Sequence, residues 1–274
     1  MAGPTRAAAF SAAPFFVLSA SRGATAEPRP LAYDLDVDGP VTLVGATLWI
    51  TSEATKDTLA PSACRWCATN GLDLGVRDAL RWGDAKGADM ASNVIGFAIG
   101  PAAVLGATAI AAGRDRALRG FLVDALVIAE AVVVAADVNQ TVKLLAARDR
   151  PLMLARTPDE LARKDPASDD HLSFYSGHTT LAFSIVTAAG TVATMRGYRW
   201  APLVWAVGAP FAFVTPWLRM AADKHWFTDV LVGAAAGAAI GFALPFLAHH
   251  PARVGGATVR LVPQGAGAAV AGAW

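Results

Sequence analysis

Charge is scarce in this sequence of 274 residues: Asp, Glu, Lys and Arg together make up 16% of it, while 54% is hydrophobic. A soluble domain carries about a quarter charged residues, so the composition excludes an ordinary soluble globule, and a disordered chain with it. The net charge is only +1 and no basic stripe stands out, which leaves nucleic acid without a docking surface. Cysteine occurs only twice, at Cys64 and Cys67. A single Cys-x-x-Cys pair falls short of the four ligands of a structural zinc, and no thioredoxin-like pattern surrounds it. The pair is either a local disulfide or two free thiols.

What the sequence has in quantity is long apolar runs. A helix needs about 20 mostly apolar residues to cross the hydrocarbon layer. Residues 90–112, 120–147, 177–195, 200–218 and 226–249 reach or approach that length. The expected fold class is therefore all-α, a polytopic membrane bundle of five clear spans. A short apolar helix at 41–50 completes a six-helix core, its crossing left open because Glu53 and Lys56 interrupt it. Residues 1–26 read as a signal peptide: Arg6 precedes an apolar run, and Ala24-Thr25-Ala26 is a small-x-small cleavage site. Cleavage would leave the new N-terminus outside the cytoplasm. Residues 27–87 then form an N-terminal segment, 88–248 the membrane core and 249–274 a flexible tail with a short strand at 258–262.

Lys and Arg gather on the cytoplasmic side of membrane proteins. Arg114, Arg116 and Arg119 share one short loop, Arg196 and Arg199 another, and Arg253 follows the last span. Segments 148–176 and 219–225 then face the opposite side. Parity couples the early part: either the signal run carries the chain across or the 41–57 segment does so alone. The stretch 76–82 is amphipathic and reads as an interfacial helix beside the route of lipid entry.

Ionisable groups at membrane depth are functional candidates. Lys143 and Arg150 are seven residues apart, which brings them to one helical face if the helix persists to Pro151. Alone, they are snorkelling anchors. Ser176, Gly177 and His178 open the next span, where helix-start N–H groups and a close backbone suit an anion; alone, they are a cap. His225 and Asp229 are helical neighbours, and a carboxylate on one imidazole nitrogen leaves the other free as a nucleophile. Arg219 adds a planar fork suited to phosphate. Elsewhere, Gly233, Gly237 and Gly241 permit close helix packing. Pro202, Pro210 and Pro216 should kink or interrupt the penultimate span. Trp200, Trp217 and Trp226 read as boundary anchors. His171, His249 and His250 read as loop residues. Asp124, Glu130 and Asp137 are either inward-facing hydrogen-bonding groups or an ion route.

The order Lys-x6-Arg-Pro, Ser-Gly-His, Arg-x5-His-x3-Asp resembles the three-part signature of the type 2 phosphatidic acid phosphatase family, which shares its phosphate pocket with bacterial acid phosphatases and vanadium haloperoxidases. The likeness covers residues 90–248, with Tyr175 where the family usually has Pro and Leu218 where it usually has Ser. It implies a membrane hydrolase of lipid-linked phosphate monoesters or pyrophosphates that needs no metal and no cofactor. His225 would be the nucleophile that forms a phosphohistidine, oriented by Asp229. His178 would be the acid and then the base, and Lys143, Arg150, Ser176, Gly177 and Arg219 the phosphate holders. A bell-shaped pH profile on the acid to neutral side follows from two histidines of opposite protonation. The resemblance also implies a multi-pass protein of a bacterial inner membrane, its site facing the periplasm or exterior. The partners are membrane lipids and a lipid phosphate, and a homodimer through the glycine stripe is not favoured. The competing class is a transporter or non-catalytic scaffold that uses the three intramembrane acids.

Overall fold

The computed structural model describes residues 27–157, 169–254, 257–264 and 267–273. The signal reading of 1–26 lies outside them. Seven helices organise the described chain up to His249: α1 (Leu35–Ala54), α2 (Gly71–Leu80), α3 (Ala85–Arg114), α4 (Phe121–Ala146), α5 (Gly177–Arg196), α6 (Ala201–Ala221) and α7 (Phe227–His249). A further helical turn follows α1 at Lys56–Leu59.

The helix ends have local causes. Asp34 caps α1 by accepting from Asp36 N at 3.1 Å, and Asp84 caps α3 by accepting from Gly87 N at 2.8 Å. Helix α4 stops where Ala147 turns left-handed (φ 44°), and α5 stops at Gly197 (φ 72°). Pro202 lies in the first turn of α6, while Pro210 and Pro216 sit in its interior without ending it. The expected interruption is absent, because the helix continues on either side of each missing donor. Inside α3, Ile95–Ile99 forms a π-turn.

Helices α1, α4 and α6 end at one pole, where Glu53, Lys143 and Arg219 line a common cavity, while α3, α5 and α7 begin there. At the opposite pole Arg29 N donates to Arg196 O at 2.8 Å, Ala32 N to His249 O at 3.0 Å, and Arg199 pairs with Asp115 at 2.6 Å. The six long helices thus alternate in direction. The 41–50 stretch belongs to a helix of 20 residues that runs from the basic pole to the cavity pole. Residues 29–32 stand at the basic pole, at the far end of this helix from the cavity.

Three helices, α3, α6 and α7, are long and apolar enough to cross a membrane, which marks a membrane protein and falls short of the five spans expected. The reason lies in α4 and α5. Large exposed apolar side chains, such as Leu48, Phe97, Leu145, Phe213 and Phe246, occur on α1, α3, α4, α6 and α7, and among the described residues none occurs on α5. Helix α5 is sheathed by its neighbours, so it can hold Thr and Ser where a lipid-facing helix needs Leu. Helix α4 carries acids that are paired inside: Asp124 accepts from Arg196 Nε and Tyr198 Oη, both at 2.6 Å, and Glu130 lies 3.0 Å from His249 Nε2. His249 is a buried residue of α7, not a loop histidine, and Ala32 O takes its other nitrogen at 2.9 Å.

The glycine stripe packs as expected. A Cβ on Gly237 would stand 2.5 Å from Thr180 O, and one on Gly233 2.7 Å from Ser176 O, so α7 meets α5 backbone to backbone. Beyond His249 the backbone forms a three-stranded antiparallel sheet, β1 (Ala252–Val254), β2 (Ala257–Gln264) and β3 (Gly267–Ala273). The all-α class holds for the described helical chain up to His249, and the tail beyond it holds a sheet, with β2 containing the strand anticipated at 258–262.

Candidate active site

At the cavity pole Lys143, Arg150, Gly177, His178, Arg219 and His225 line one cavity of about 380 Å³. Ser176 and Asp229 do not reach it. Both are fully buried behind the wall, where Ser176 Oγ accepts from Thr179 Oγ1 at 2.9 Å and Ser176 N donates to Asp229 O at 3.1 Å. Ser176, expected to hold phosphate, is thus not among the residues that line the cavity. The helical alignment of Lys143 with Arg150 is corrected: α4 ends at Ala146, and Arg150 is delivered by the extended segment after the left-handed Ala147. Gly177 leaves room for the side chains facing it: a Cβ there would stand 2.9 Å from Asn139 Oδ1 and 3.0 Å from Lys143 Nζ, and both would have to shift.

The cations differ in how far they are satisfied. Arg150 donates Nε to Asp169 O at 2.8 Å and Nη2 to Asp169 Oδ2 at 3.0 Å, and no described residue takes up its Nη1. The guanidinium holds the Asp169 carboxyl far below the usual carboxylate range. Arg219 Nη1 donates to Asp89 Oδ1 at 2.6 Å and to Ser92 Oγ at 2.9 Å, while its buried Nε has no partner. Lys143 is buried and forms no hydrogen bond or ion pair with a described residue. Buried donors left unsatisfied are costly, and an anion in the cavity would satisfy these. Lys56 and Lys224 complete five lining cations against the carboxylates of Glu53, Asp89 and Asp169.

His225 is buried, and its Nδ1–H donates to Ser173 O at 2.8 Å, which leaves the Nε2 lone pair free. Asp229 is not the direct partner: its Oδ2 is 3.8 Å from Nδ1 and instead accepts from Ser173 Oγ at 2.5 Å and from Trp226 N at 3.0 Å. The carboxylate thus positions the residue that positions the imidazole. Burial, aided by Arg150, Arg219 and Lys143, pushes the His225 pKa well below the ordinary imidazole value, so the ring is neutral at neutral pH. His178 donates Nε2–H to Asn93 Oδ1 at 2.7 Å, and its ring meets Phe97 edge-on at 4.6 Å.

Several residues of this assembly escape sequence reasoning. Arg148 is fully buried, donating Nη1 to Asp229 Oδ1 at 2.5 Å and to Thr228 Oγ1 at 2.8 Å, and Nη2 to Asp73 Oδ2 at 2.7 Å. Asp73 Oδ1 also accepts from Thr228 N at 2.9 Å. The amphipathic α2 is bolted to the loops by Asp73 and by Arg77, which forks Asp223 with two bonds of 2.7 Å. Trp66 stacks on Arg148 at 4.2 Å between Cys64 and Cys67, which are joined as a disulfide. Trp226 is buried rather than a boundary anchor, its Nε1 donating to Asp149 O at 2.7 Å. His171 pairs with Asp149 and does not line the cavity. Of the two departures from the family pattern, Leu218 is buried outside the cavity lining, and Tyr175 is held through its carbonyl by Asn139 Nδ2 at 2.7 Å.

Only the proximity of Arg148 to Arg150 in the sequence hinted at its importance. Asp73 and Asn93 lie far from the motifs in sequence and carried no spacing signal.

No curated protein and no solved structure matches the chain. The cavity-lining residues of α4, α5 and α6, together with Arg150, Asp169, Lys224 and His225, all fall within residues 124–250, the stretch that matches the family model described as PAP2 superfamily.

Proposed function

We propose that the protein is a membrane phosphatase that hydrolyses a lipid-linked phosphate monoester or pyrophosphate through a phosphohistidine. The observation that carries this reading is the convergence of two imidazoles and three separately delivered cations, Lys143, Arg150 and Arg219, on one cavity. Phosphoryl transfer asks mainly for positioning and charge stabilisation, and these residues supply both. His225 Nε2 attacks the terminal phosphorus and forms the N–P bond while the bond from that phosphorus to the leaving oxygen breaks, the lipid alcohol's oxygen in a monoester and the bridging oxygen of the lipid phosphate in a pyrophosphate. His178 gives its proton to that oxygen. Water then attacks phosphorus, His178 takes the water's proton, the N–P bond breaks and phosphate leaves. Lys143, Arg150, Arg219 and the Gly177 N–H hold the non-bridging oxygens.

A lipid substrate is supported by a second cavity of about 250 Å³, lined by Pro101, Leu105, Ile128 and Ile185 together with Trp49, Phe97 and Leu181. The last three also line the polar cavity, so a phosphate in one and a hydrocarbon chain in the other form one continuous ligand. The disulfide at the cavity pole and the arginines at the other support a site facing the periplasm or exterior of a bacterial inner membrane. The core is 88–248, and 27–87 completes it with Glu53, Lys56 and Asp73. Two of the three acids of the transporter reading, Asp124 and Glu130, are engaged with Arg196, Tyr198 and His249, which favours the phosphatase.

The test is phosphate release from a panel of lipid phosphates in detergent. Turnover that survives chelator, is blocked by vanadate and vanishes in His225→Ala is expected. Full activity in that variant would remove the nucleophile from the mechanism.

A further inference from the structure

We infer that Asn93 is the positioning residue of His178: its carbonyl holds the Nε2–H of the imidazole, so that Nδ1 is the nitrogen that gives and takes the proton at the leaving oxygen. The inference rests on the reading of His178 as acid and base. It names a residue of α3, outside the stretch that matches the family model.

Three contacts from α3 hold the ring. Asn93 Oδ1 is 2.7 Å from Nε2, the Phe97 ring meets the imidazole edge-on at 4.6 Å, and Gly96 lies so close that a Cβ there would be 3.1 Å from His178 Cδ2. Gly96 and Phe97 lie in the π-turn Ile95–Ile99, directly after Asn93. A π-turn changes the register of a helix face, and such turns cluster at functional sites. His178 Nδ1 has no hydrogen-bond partner among the described residues, and His178 and Asn93 both line the cavity.

The arrangement parallels that of His225, whose Nδ1–H goes to a backbone carbonyl at 2.8 Å. Each imidazole is anchored on a neutral oxygen and not on a carboxylate. A neutral acceptor fixes the tautomer without stabilising the imidazolium as an ion pair would. That suits a group that must release its proton to the leaving oxygen and recover one from water.

The experiment uses the full chain in detergent with two substrates, dodecyl phosphate and p-nitrophenyl phosphate. Leaving-group release is followed in a single turnover, so that only the first step is read. A nitrophenolate departs unprotonated, whereas an alkoxide needs the acid. Asn93→Leu is expected to slow the alkyl ester about 10- to 100-fold, part of the 10²–10⁴ that a general acid supplies, and the nitrophenyl ester by less than about 3-fold. Asn93→Asp, which keeps an acceptor oxygen in place, is expected to restore most of the loss. Equal slowing of both esters, or no slowing of either, would overturn the inference. His178→Ala separates the two levels: if it slows the alkyl ester selectively while Asn93→Leu does not, the positioning role fails alone. If it spares the alkyl ester, the acid role of His178 fails and the inference falls with it.

Discussion

Arg148 and Asp229 form a buried ion pair 2.5 Å long, and the same guanidinium reaches Asp73 of α2 at 2.7 Å. Asp229 therefore has two tasks, holding Ser173 beneath His225 and balancing a charge that water cannot reach. Removing one partner of such a network strands the other. Asp73→Ala is expected to destabilise the protein by about 3–5 kcal/mol. Thermal unfolding in detergent checks this, and an unchanged midpoint would show that the network is not structural.

The nucleophile and its support should separate in magnitude. His225→Ala is expected to lower kcat by more than about 10³-fold and to abolish acid-labile phosphoenzyme, as loss of an attacking group does. Asp229→Asn keeps a hydrogen-bonding shape for Ser173 and Trp226, so a smaller loss is expected, with phosphoenzyme still trapped. Quenched-flow labelling distinguishes the two, and equal losses would restore a direct role to Asp229.

The pH dependence has a definite sign. His225 is held neutral by burial and three cations, its pKa lying below the ordinary 6.5. As pH falls through that depressed value, protonation removes the Nε2 lone pair and the rate declines. Above it the nucleophile is ready, and the alkaline limb reports loss of the acid's proton. The acid limb of kcat/KM, which reads the free enzyme, is expected below pH 6.5. A limb at or above that value would contradict the neutral, shielded His225.

Arg219 offers an unpartnered Nε in addition to the Nη1 already held by Asp89 and Ser92. A lysine cannot keep the acid contact and present a second donor at once. Arg219→Lys is expected to weaken vanadate binding about 10-fold or more, the scale of one charge-assisted hydrogen bond. Inhibition titrations measure it, and unaltered affinity would place the oxyanion elsewhere.

Gly237→Ala inserts a methyl group 2.5 Å from Thr180 O. Overpacking of this kind costs about 1–3 kcal/mol. A lower unfolding midpoint is expected, and an unchanged one would mean that α5 and α7 can part without loss.

The sequence made some of this legible and hid the rest, for identifiable reasons. Lys143, Arg150, His178, Arg219 and His225 were readable because each lies in a short motif at a helix end, where spacing carries information. The places of Ser176 and Asp229 behind the cavity wall were not readable, because spacing does not say which side of a wall a side chain occupies. Asp73, Asn93 and Arg148 act through contacts with residues as much as 155 positions away, as between Asp73 and Thr228. The full length of α1 was obscured by Glu53 and Lys56, which stand at its cavity end. There Glu53 bonds Gln140, and Lys56 lies 3.6 Å from Glu53 and 3.8 Å from Asp169.

His178 belongs to the first turn of α5, and His225 immediately precedes α7. Gly233, Gly237 and Gly241 seat those two rods so close that a slide of one along the other would drive side chains into carbonyls, and the gap between the two imidazoles is a fixed rail gauge. Stretching or thinning of the surrounding bilayer would bend the outer staves of the barrel first and reach the chemistry last.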